Sequence, residues 1–187
     1  AGSALAADGN AGMAAVVTHI SAATASLVWM IMDWSKFGKP TLIGLVTGTI
    51  AGLASITPAS GSVGPIGALI IGASAGIICY LFVNIVKNKL RIDDSLDVFA
   101  VHGIGGLIGI LLVAFLVDSN IGGAGYADGL NAISQLLIQL KGTFAVLVLS
   151  VVASIIITYV VKFTVGLRVD ESSEVEGLDI SSHGETN

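Results

Sequence analysis

The chain has 187 residues, of which 54% are hydrophobic and 11% are charged, with a net charge of −5 and a mean hydropathy of +0.93. Soluble domains carry about 25% charged residues, so this composition excludes an ordinary soluble domain and indicates an integral membrane protein. The negative charge is concentrated near the C-terminus, no basic patch suggests nucleic acid, and a single cysteine, Cys79, cannot form an internal disulfide.

Five apolar segments in succession predict five membrane-spanning helices, since a helix crosses a bilayer with roughly 20 residues. In chain order they cover about residues 11–33, 41–57, 66–86, 93–117 and 131–163. Pro58 is expected to end the second helix, and the DDSLD stretch is expected to begin the fourth. We therefore expect a transmembrane helical bundle over residues 1–163 and a polar tail over residues 164–187.

Lysine and arginine are found in alternate connections of this helical pattern. They follow the first, third and fifth helices, whereas the connections around residues 58–65 and 118–130 contain none. Because cytoplasmic loops are enriched in Lys and Arg, we expect a multi-pass protein of the cell membrane with its C-terminus in the cytoplasm.

Glycines recur at four-residue spacing in the second, third and fourth predicted helices. Small residues at this spacing let membrane helices approach closely, so the pattern predicts a tight bundle. The residues are Gly44, Gly48, Gly52, Gly72, Gly76, Gly105 and Gly109.

His102 lies within the apolar part of the fourth predicted helix, beside Gly103. On a straight helix, Asp94 is about 12 Å and Asp97 about 7.5 Å away along the axis, too far to hydrogen-bond the ring. Desolvation disfavours an imidazolium, so we expect a neutral ring at pH 7. An ionisable residue at membrane depth favours a functional role, with an interhelical structural bond as the alternative.

Asp94 and Asp97 fit a helix start as well as a functional role. Asp94 can accept hydrogen bonds from free amides, and Asp97 lies three positions later, in capping-box spacing. His19, among small residues of the first helix, is expected to be structural. The histidines show no metal-ligand spacing, and no nucleophile-base pair or phosphate-binding loop is present, so neither a metal nor an enzyme is predicted.

Four stretches of the sequence together resemble the Amt/Mep/Rh ammonium transporter family. They are AGSALAADG at the N-terminus, GKPTLIGLVTGTIAGLASITPASGSVGP at 38–65, DDSLDVFAVHGIGGLIG at 93–109 and GLDISSHGE at 177–185. The resemblance covers nearly the whole chain. It implies an all-α integral membrane protein whose five transmembrane helices form the second half of an eleven-helix fold with inverted repeats. It also implies a homotrimer, no cofactor, and a missing N-terminal half that would precede Ala1.

The resemblance also assigns candidate site residues. His102 falls on one of two pore histidines, Ser3 on the serine of an external ammonium site, and Thr57 on a threonine of the outer vestibule. Asp94 matches an aspartate that has a pseudo-symmetric counterpart in the first half. The tail would help to dock a cytoplasmic nitrogen-regulatory PII protein. Its matching residues are Gly177, Leu178, Asp179, His183, Gly184 and Glu185.

Transport of ammonium is the leading interpretation, with methylammonium as an analogue substrate. Ammonium would be recruited outside and ammonia would pass the pore, with the proton moving separately or not at all. The alternatives are an ammonium sensor on the same fold, a pore for another small neutral solute, and a structural membrane scaffold in contact with lipid.

Overall fold

The computed structural model describes residues 2–185 and consists of helices joined by short connections. Within those residues there is no β-strand. The α-helices are α1 Gly9–Phe37, α2 Leu42–Ile56, α3 Pro65–Asn84, α4 Ile104–Leu116, α5 Ala132–Thr164, α6 Glu171–Glu176 and α7 Leu178–His183. Two π-helical turns adjoin them, Ile85–Lys89 after α3 and Phe99–Gly103 before α4. Short 3-10 turns cover Gly2–Ala4 and Ser119–Ile121.

The first two helices begin at residues whose side chains accept hydrogen bonds from free backbone amides. The carboxylate of Asp8 accepts from Asn10 and Ala11, and the hydroxyl of Thr41 accepts from Gly44. Such caps satisfy donors that a helix start leaves without partners. Helix α1 ends at Gly38, whose left-handed backbone is accessible to glycine without steric cost.

Four helical segments of the described chain are long and apolar enough to cross a membrane: Gly9–Phe37, Pro65–Lys89, Phe99–Leu116 and Ala132–Thr164. The all-helical membrane fold expected from the sequence is therefore confirmed. The second predicted span differs, because α2 is apolar but only 15 residues long. It stops before Pro58, whose ring removes a backbone donor and prevents the helix from continuing.

The fourth helix begins later than the sequence predicted. The DDSLD stretch is not helical, and regular structure starts only at Val98 and Phe99. Asp97 has a left-handed backbone with φ +57°, which interrupts any helix passing through it. The capping-box prediction for Asp97 is also wrong. In a capping box the Asp97 carboxylate would accept a hydrogen bond from the amide of Asp94, but that amide donates to the carbonyl of Ile92 instead.

Glycines at the predicted spacing lie where two helices touch. A Cβ built on Gly109 would lie 1.9 Å from the backbone oxygen of Ser55 in α2. On Gly52 it would lie 2.5 Å from the oxygen of Ser21 in α1, and Gly72 of α3 meets the same oxygen at 2.5 Å. No side chain fits at these distances, so the prediction of close helix approach is confirmed.

The buried side chains form two clusters between α1, α2, α3 and α4. One contains Val17, Ile56, Ala59, Val63, Ala68, Ile71, Val113 and Leu116, and the other contains Trp29, Ala51, Cys79, Val101 and Ile108. Many apolar side chains outside these clusters are exposed, as expected for a surface that faces lipid or other protein.

The chain forms two compact units, one ending at Thr143 and one beginning at Phe144. The first contains α1 to α4 and the start of α5. The second contains the rest of α5 and the two short helices α6 and α7.

Candidate functional site

Ser3 and Thr57, separated by 54 residues, lie in hydrogen-bond contact. The Ser3 hydroxyl donates to the Thr57 backbone carbonyl at 3.3 Å, and Asn10 donates to the carbonyl of Gly61 at 3.3 Å. These contacts hold the N-terminal segment against the turn that follows α2. Gly61 is required there, because a Cβ would lie 2.5 Å from the Ser3 carbonyl oxygen.

The Ser3 contact uses the hydroxyl proton and leaves the lone pairs of the Ser3 oxygen available as acceptors. A hydroxyl has one donor and two acceptor lone pairs, and the Thr57 carbonyl takes the donor. The exposed Ser3 oxygen can therefore accept hydrogen bonds from a cation that carries N–H groups. The hydroxyl of Thr57 is also exposed, and it donates back to Leu53 at 2.7 Å.

His102 lies in the π-helical turn Phe99–Gly103 and differs in exposure from the two residues before it. Ala100 and Val101 are buried, and the turn packs against α2 and α3. His102 is exposed, and it has no hydrogen-bond or ion-pair partner among residues 2–185. Its ring therefore lies on a face of this bundle that the described helices leave uncovered.

Helix geometry places His102 away from the Ser3–Thr57 contact. Gly109 touches Ser55 near the end of α2, and His102 precedes Gly109 by seven residues. At a rise of 1.5 Å per residue this is about 10 Å along the axis. The structure thus brings Ser3 and Thr57 together but leaves His102 about two helical turns away along the axis.

Asp94 and Asp97 hold the turn on which His102 lies. The two carboxylate oxygens of Asp94 accept hydrogen bonds from the amides of Val98 and Phe99, at 2.8 and 2.9 Å. Asp97 instead forms an ion pair with Lys87, whose Nζ lies 2.8 Å from its Oδ1. The helix start is therefore capped by Asp94, while Asp97 connects it to the end of α3.

A cavity of about 310 Å³ lies beside this ion pair, and the sequence reasoning did not identify it. Asp33 is buried in its wall, and Thr41 donates a hydrogen bond to the Asp33 carboxylate at 2.7 Å. The ammonium group of Lys36 lies 5.6 Å from the centre of the Tyr80 ring. A buried carboxylate near the end of a predicted span was the signal that could have revealed it.

His19 is exposed on α1, and its Nδ1 lies 2.9 Å from the carbonyl oxygen of Ala15 in the preceding turn. That contact is local to one helix. Among residues 2–185, no group of three His, Cys, Asp or Glu side chains is placed to hold a metal ion.

The tail residues from Gly177 to Glu185 form α7 and the connections around it, and nearly all are exposed. The preceding helix α6 is held by its own polar contacts. Arg168 donates to Glu174 at 2.8 Å, which lowers the pKa of that carboxyl. Hydrogen bonds from the Ser172 hydroxyl and then the Ser173 amide lower the pKa of Asp170 to about 2.

Comparison with known proteins places the whole chain in one group. A family model described as the Ammonium Transporter Family matches residues 1–187. The chain is 45% identical to an ammonium transporter of Aquifex aeolicus, over 99% of this chain and 43% of that protein. It is 46% identical to the ammonium transporter Amt1 of Archaeoglobus fulgidus, over 98% of this chain and 46% of that protein.

Solved structures agree with these relatives. Mep2 of Saccharomyces cerevisiae is 33% identical, with a TM-score of 0.76 over 90% of this chain and 43% of Mep2. A structure described as a sensor Amt protein is 29% identical, with a TM-score of 0.84 over 95% of this chain and 43% of that one. The chain therefore spans less than half the length of the proteins it matches.

Proposed function

The chain belongs to the Ammonium Transporter Family, and from that premise we propose that the protein containing it moves ammonium across the cell membrane. It is a multi-pass membrane protein with several apolar helices. The observation that carries the proposal is the position of His102. This exposed imidazole, without a partner in the described chain, lies on a turn whose other face is packed in an apolar bundle.

Ammonium is recruited at the Ser3–Thr57 contact. The Ser3 oxygen, whose proton is directed to the Thr57 carbonyl, accepts a hydrogen bond from an ammonium N–H. Taking the bare cation into an apolar interior is costly, so ammonium gives up a proton to water at this exposed site before ammonia moves inward. Ammonia then passes His102, whose neutral ring can both donate and accept a hydrogen bond.

Several features of the whole protein belong to this proposal. The pore lies between this half and an N-terminal half of the same fold, because inverted-repeat transporters place their sites at the repeat interface. Residues 1–163 form the membrane bundle and residues 164–187 a cytoplasmic tail. The protein is a homotrimer, and the segment Gly177–Glu185 helps to bind a PII regulatory protein. The family match and the exposed tail helix α7 support these statements.

The test is the current that follows an ammonium jump on proteoliposomes of the protein containing this chain, with internal pH recorded in parallel. We expect saturable ammonium-dependent transport in the wild type, read as a rise in internal pH if ammonia crosses alone and as a current if the proton also crosses. His102→Ala should lose this transport or its selectivity for ammonium. His19→Ala is the matched control, because His19 is also an exposed helical histidine but contacts only its own helix. Unchanged ammonium-selective flux in His102→Ala contradicts the pore role.

A second candidate function is an ammonium sensor, which the similarity to the sensor Amt protein favours. A sensor binds ammonium and changes the affinity of its tail for a partner while passing little solute. Saturable ammonium binding with neither current nor internal pH change supports the sensor. Competition by methylammonium separates both from a pore for a neutral solute, since only a site that recruits a cation responds to it.

A further inference from the structure

We propose that the ion pair between Lys87 and Asp97 is a positioning element for His102, and that it acts by fixing the π-helical turn on which the histidine lies. This inference rests on the proposed pore role of His102. It concerns residues that do not themselves contact the transported species.

The ion pair joins the end of α3 to the segment that precedes α4. Lys87 lies in the π-helical turn Ile85–Lys89 at the end of α3, and Asp97 comes just before the turn Phe99–Gly103. The Lys87 Nζ lies 2.8 Å from the Asp97 Oδ1. The connection between them is thus closed into a loop whose two ends are both π-helical.

The backbone of Asp97 connects this loop to the π-helical turn Phe99–Gly103. Its φ of +57° is unusual for a residue with a side chain. Its carbonyl accepts the hydrogen bond of Val101 at 2.8 Å, so the conformation of Asp97 sets where the turn begins. The charge of Lys87, rather than a directed hydrogen bond, holds the side chain of this residue, because the Asp97 Oδ1 is buried without a hydrogen-bond partner among residues 2–185.

The turn itself sets the direction of the histidine. The amide of Ile104 bonds to the carbonyl of Phe99, five residues earlier, so the turn contains one residue more than an α-helical turn would. If the turn relaxed to α-helical geometry, the residues on its two sides would rotate relative to one another by about 100°. Val101 and Ala100 are packed, so the rotation would fall on the exposed His102.

The pair is suited to positioning rather than to stability. The Lys87 side chain is 37% exposed, so solvent screens its charge and limits what the pair contributes to folding, whereas the Asp97 side chain is 17% exposed with a buried Oδ1. Loss of Lys87 should therefore leave a folded protein in which the turn is less well defined. Lys89 lies in the same π-helical turn and has no ion pair among residues 2–185, which makes it the matched control.

The experiment is a double-mutant cycle in reconstituted protein. Maximal ammonium flux and half-saturating concentration are measured for Lys87→Met, His102→Ala and the combination. We expect Lys87→Met to lower maximal flux about tenfold, since displacements near 1 Å in a functional site have effects of this size or larger. The half-saturating concentration should stay unchanged, because the Ser3–Thr57 contact is distant. On the flux that remains in His102→Ala, including flux that has lost ammonium selectivity, Lys87→Met should have no further effect.

Two further variants test whether the effect depends on the charge of Lys87 and on its position. Lys89→Met should retain wild-type flux, and Lys87→Arg, which keeps the positive charge opposite Asp97, should retain much of the flux that Lys87→Met loses. Additive effects of Lys87→Met and His102→Ala, or an equal loss in Lys89→Met, overturn the positioning role while leaving the pore role intact. Wild-type transport in His102→Ala alone instead overturns the proposed function of His102.

Discussion

The hydroxyl of Ser3 lies 3.3 Å from the backbone carbonyl oxygen of Thr57, although 54 residues separate them. This contact attaches the N-terminal segment to the turn after α2 and orients the Ser3 oxygen. Its acceptor is a backbone carbonyl, so substitution of the Thr57 side chain leaves the contact possible. The two residues therefore allow different tests of the recruitment step.

Ser3→Ala should weaken ammonium recruitment, because it removes both the Ser3 oxygen that accepts from ammonium and the hydroxyl that attaches the N-terminal segment to Thr57. A hydrogen bond to a charged group contributes about 1.5 to 3 kcal/mol, so the half-saturating ammonium concentration should rise about tenfold or more. Thr57→Ala should have a smaller effect, because its hydroxyl is directed to Leu53. Flux titrations in proteoliposomes measure both values. An unchanged half-saturating concentration in Ser3→Ala contradicts the recruitment site.

Asp94→Ala should destabilise the start of the π-helical turn by about 1 to 2 kcal/mol, because two amides lose their acceptors. Asp94→Asn retains one of the oxygens and should cost less. Asp93→Ala is the control, since the carboxylate of Asp93 accepts only from the hydroxyl of Ser95. Thermal unfolding in detergent ranks the three, and equal melting temperatures for all would refute the capping role.

Thr41→Val should cost about 1 to 3 kcal/mol, because the Thr41 hydroxyl both accepts from the Gly44 amide and donates to buried Asp33. Valine has the same shape but offers neither contact. Thr41→Ser keeps the hydroxyl and should remain close to the wild type. The difference between their unfolding midpoints measures the contribution of the Thr41 hydroxyl to stability. A Thr41→Val protein as stable as the wild type would show that burial of Asp33 does not require this hydrogen bond.

Gly109→Ala should destabilise the bundle by about 1 to 3 kcal/mol, because its new methyl group would displace the backbone of α2. Gly12→Ala in α1 is the control, since a Cβ there meets nothing within 4 Å. Alanine favours a helix over glycine, so Gly12→Ala should be neutral or slightly stabilising. Melting temperatures that fall equally in both variants would argue against close packing at Gly109.

Helix α6 should depend on the charge of Asp170. Its pKa is lowered from 3.8 to about 2, so its contribution to α6 is fully present above pH 4 and is lost as the pH falls toward 2. Asp170→Ala should remove that contribution at every pH. Amide exchange at pH 7 should then be faster in residues 171–176 and unchanged in α1 to α4. Equal exchange in α6 would contradict the capping role of Asp170.

The sequence by itself determined that the chain is a bundle of apolar helices in close contact, and it singled out His102 as a candidate site residue. Apolar runs, glycines four residues apart and an ionisable ring in an apolar segment are all local patterns, and helix geometry converts them directly into structure. Gly109 is the clearest case, because its spacing alone indicated a close approach to another helix.

Only the tertiary structure decided where α4 begins and which polar groups meet. On the sequence, Asp97 fits a capping box, but its backbone is left-handed and its carboxylate pairs with Lys87. Ser3 and Thr57 likewise meet only once α1 and α2 have packed. Such contacts join residues far apart in the chain, and their geometry depends on how the helices pack, which no local pattern encodes.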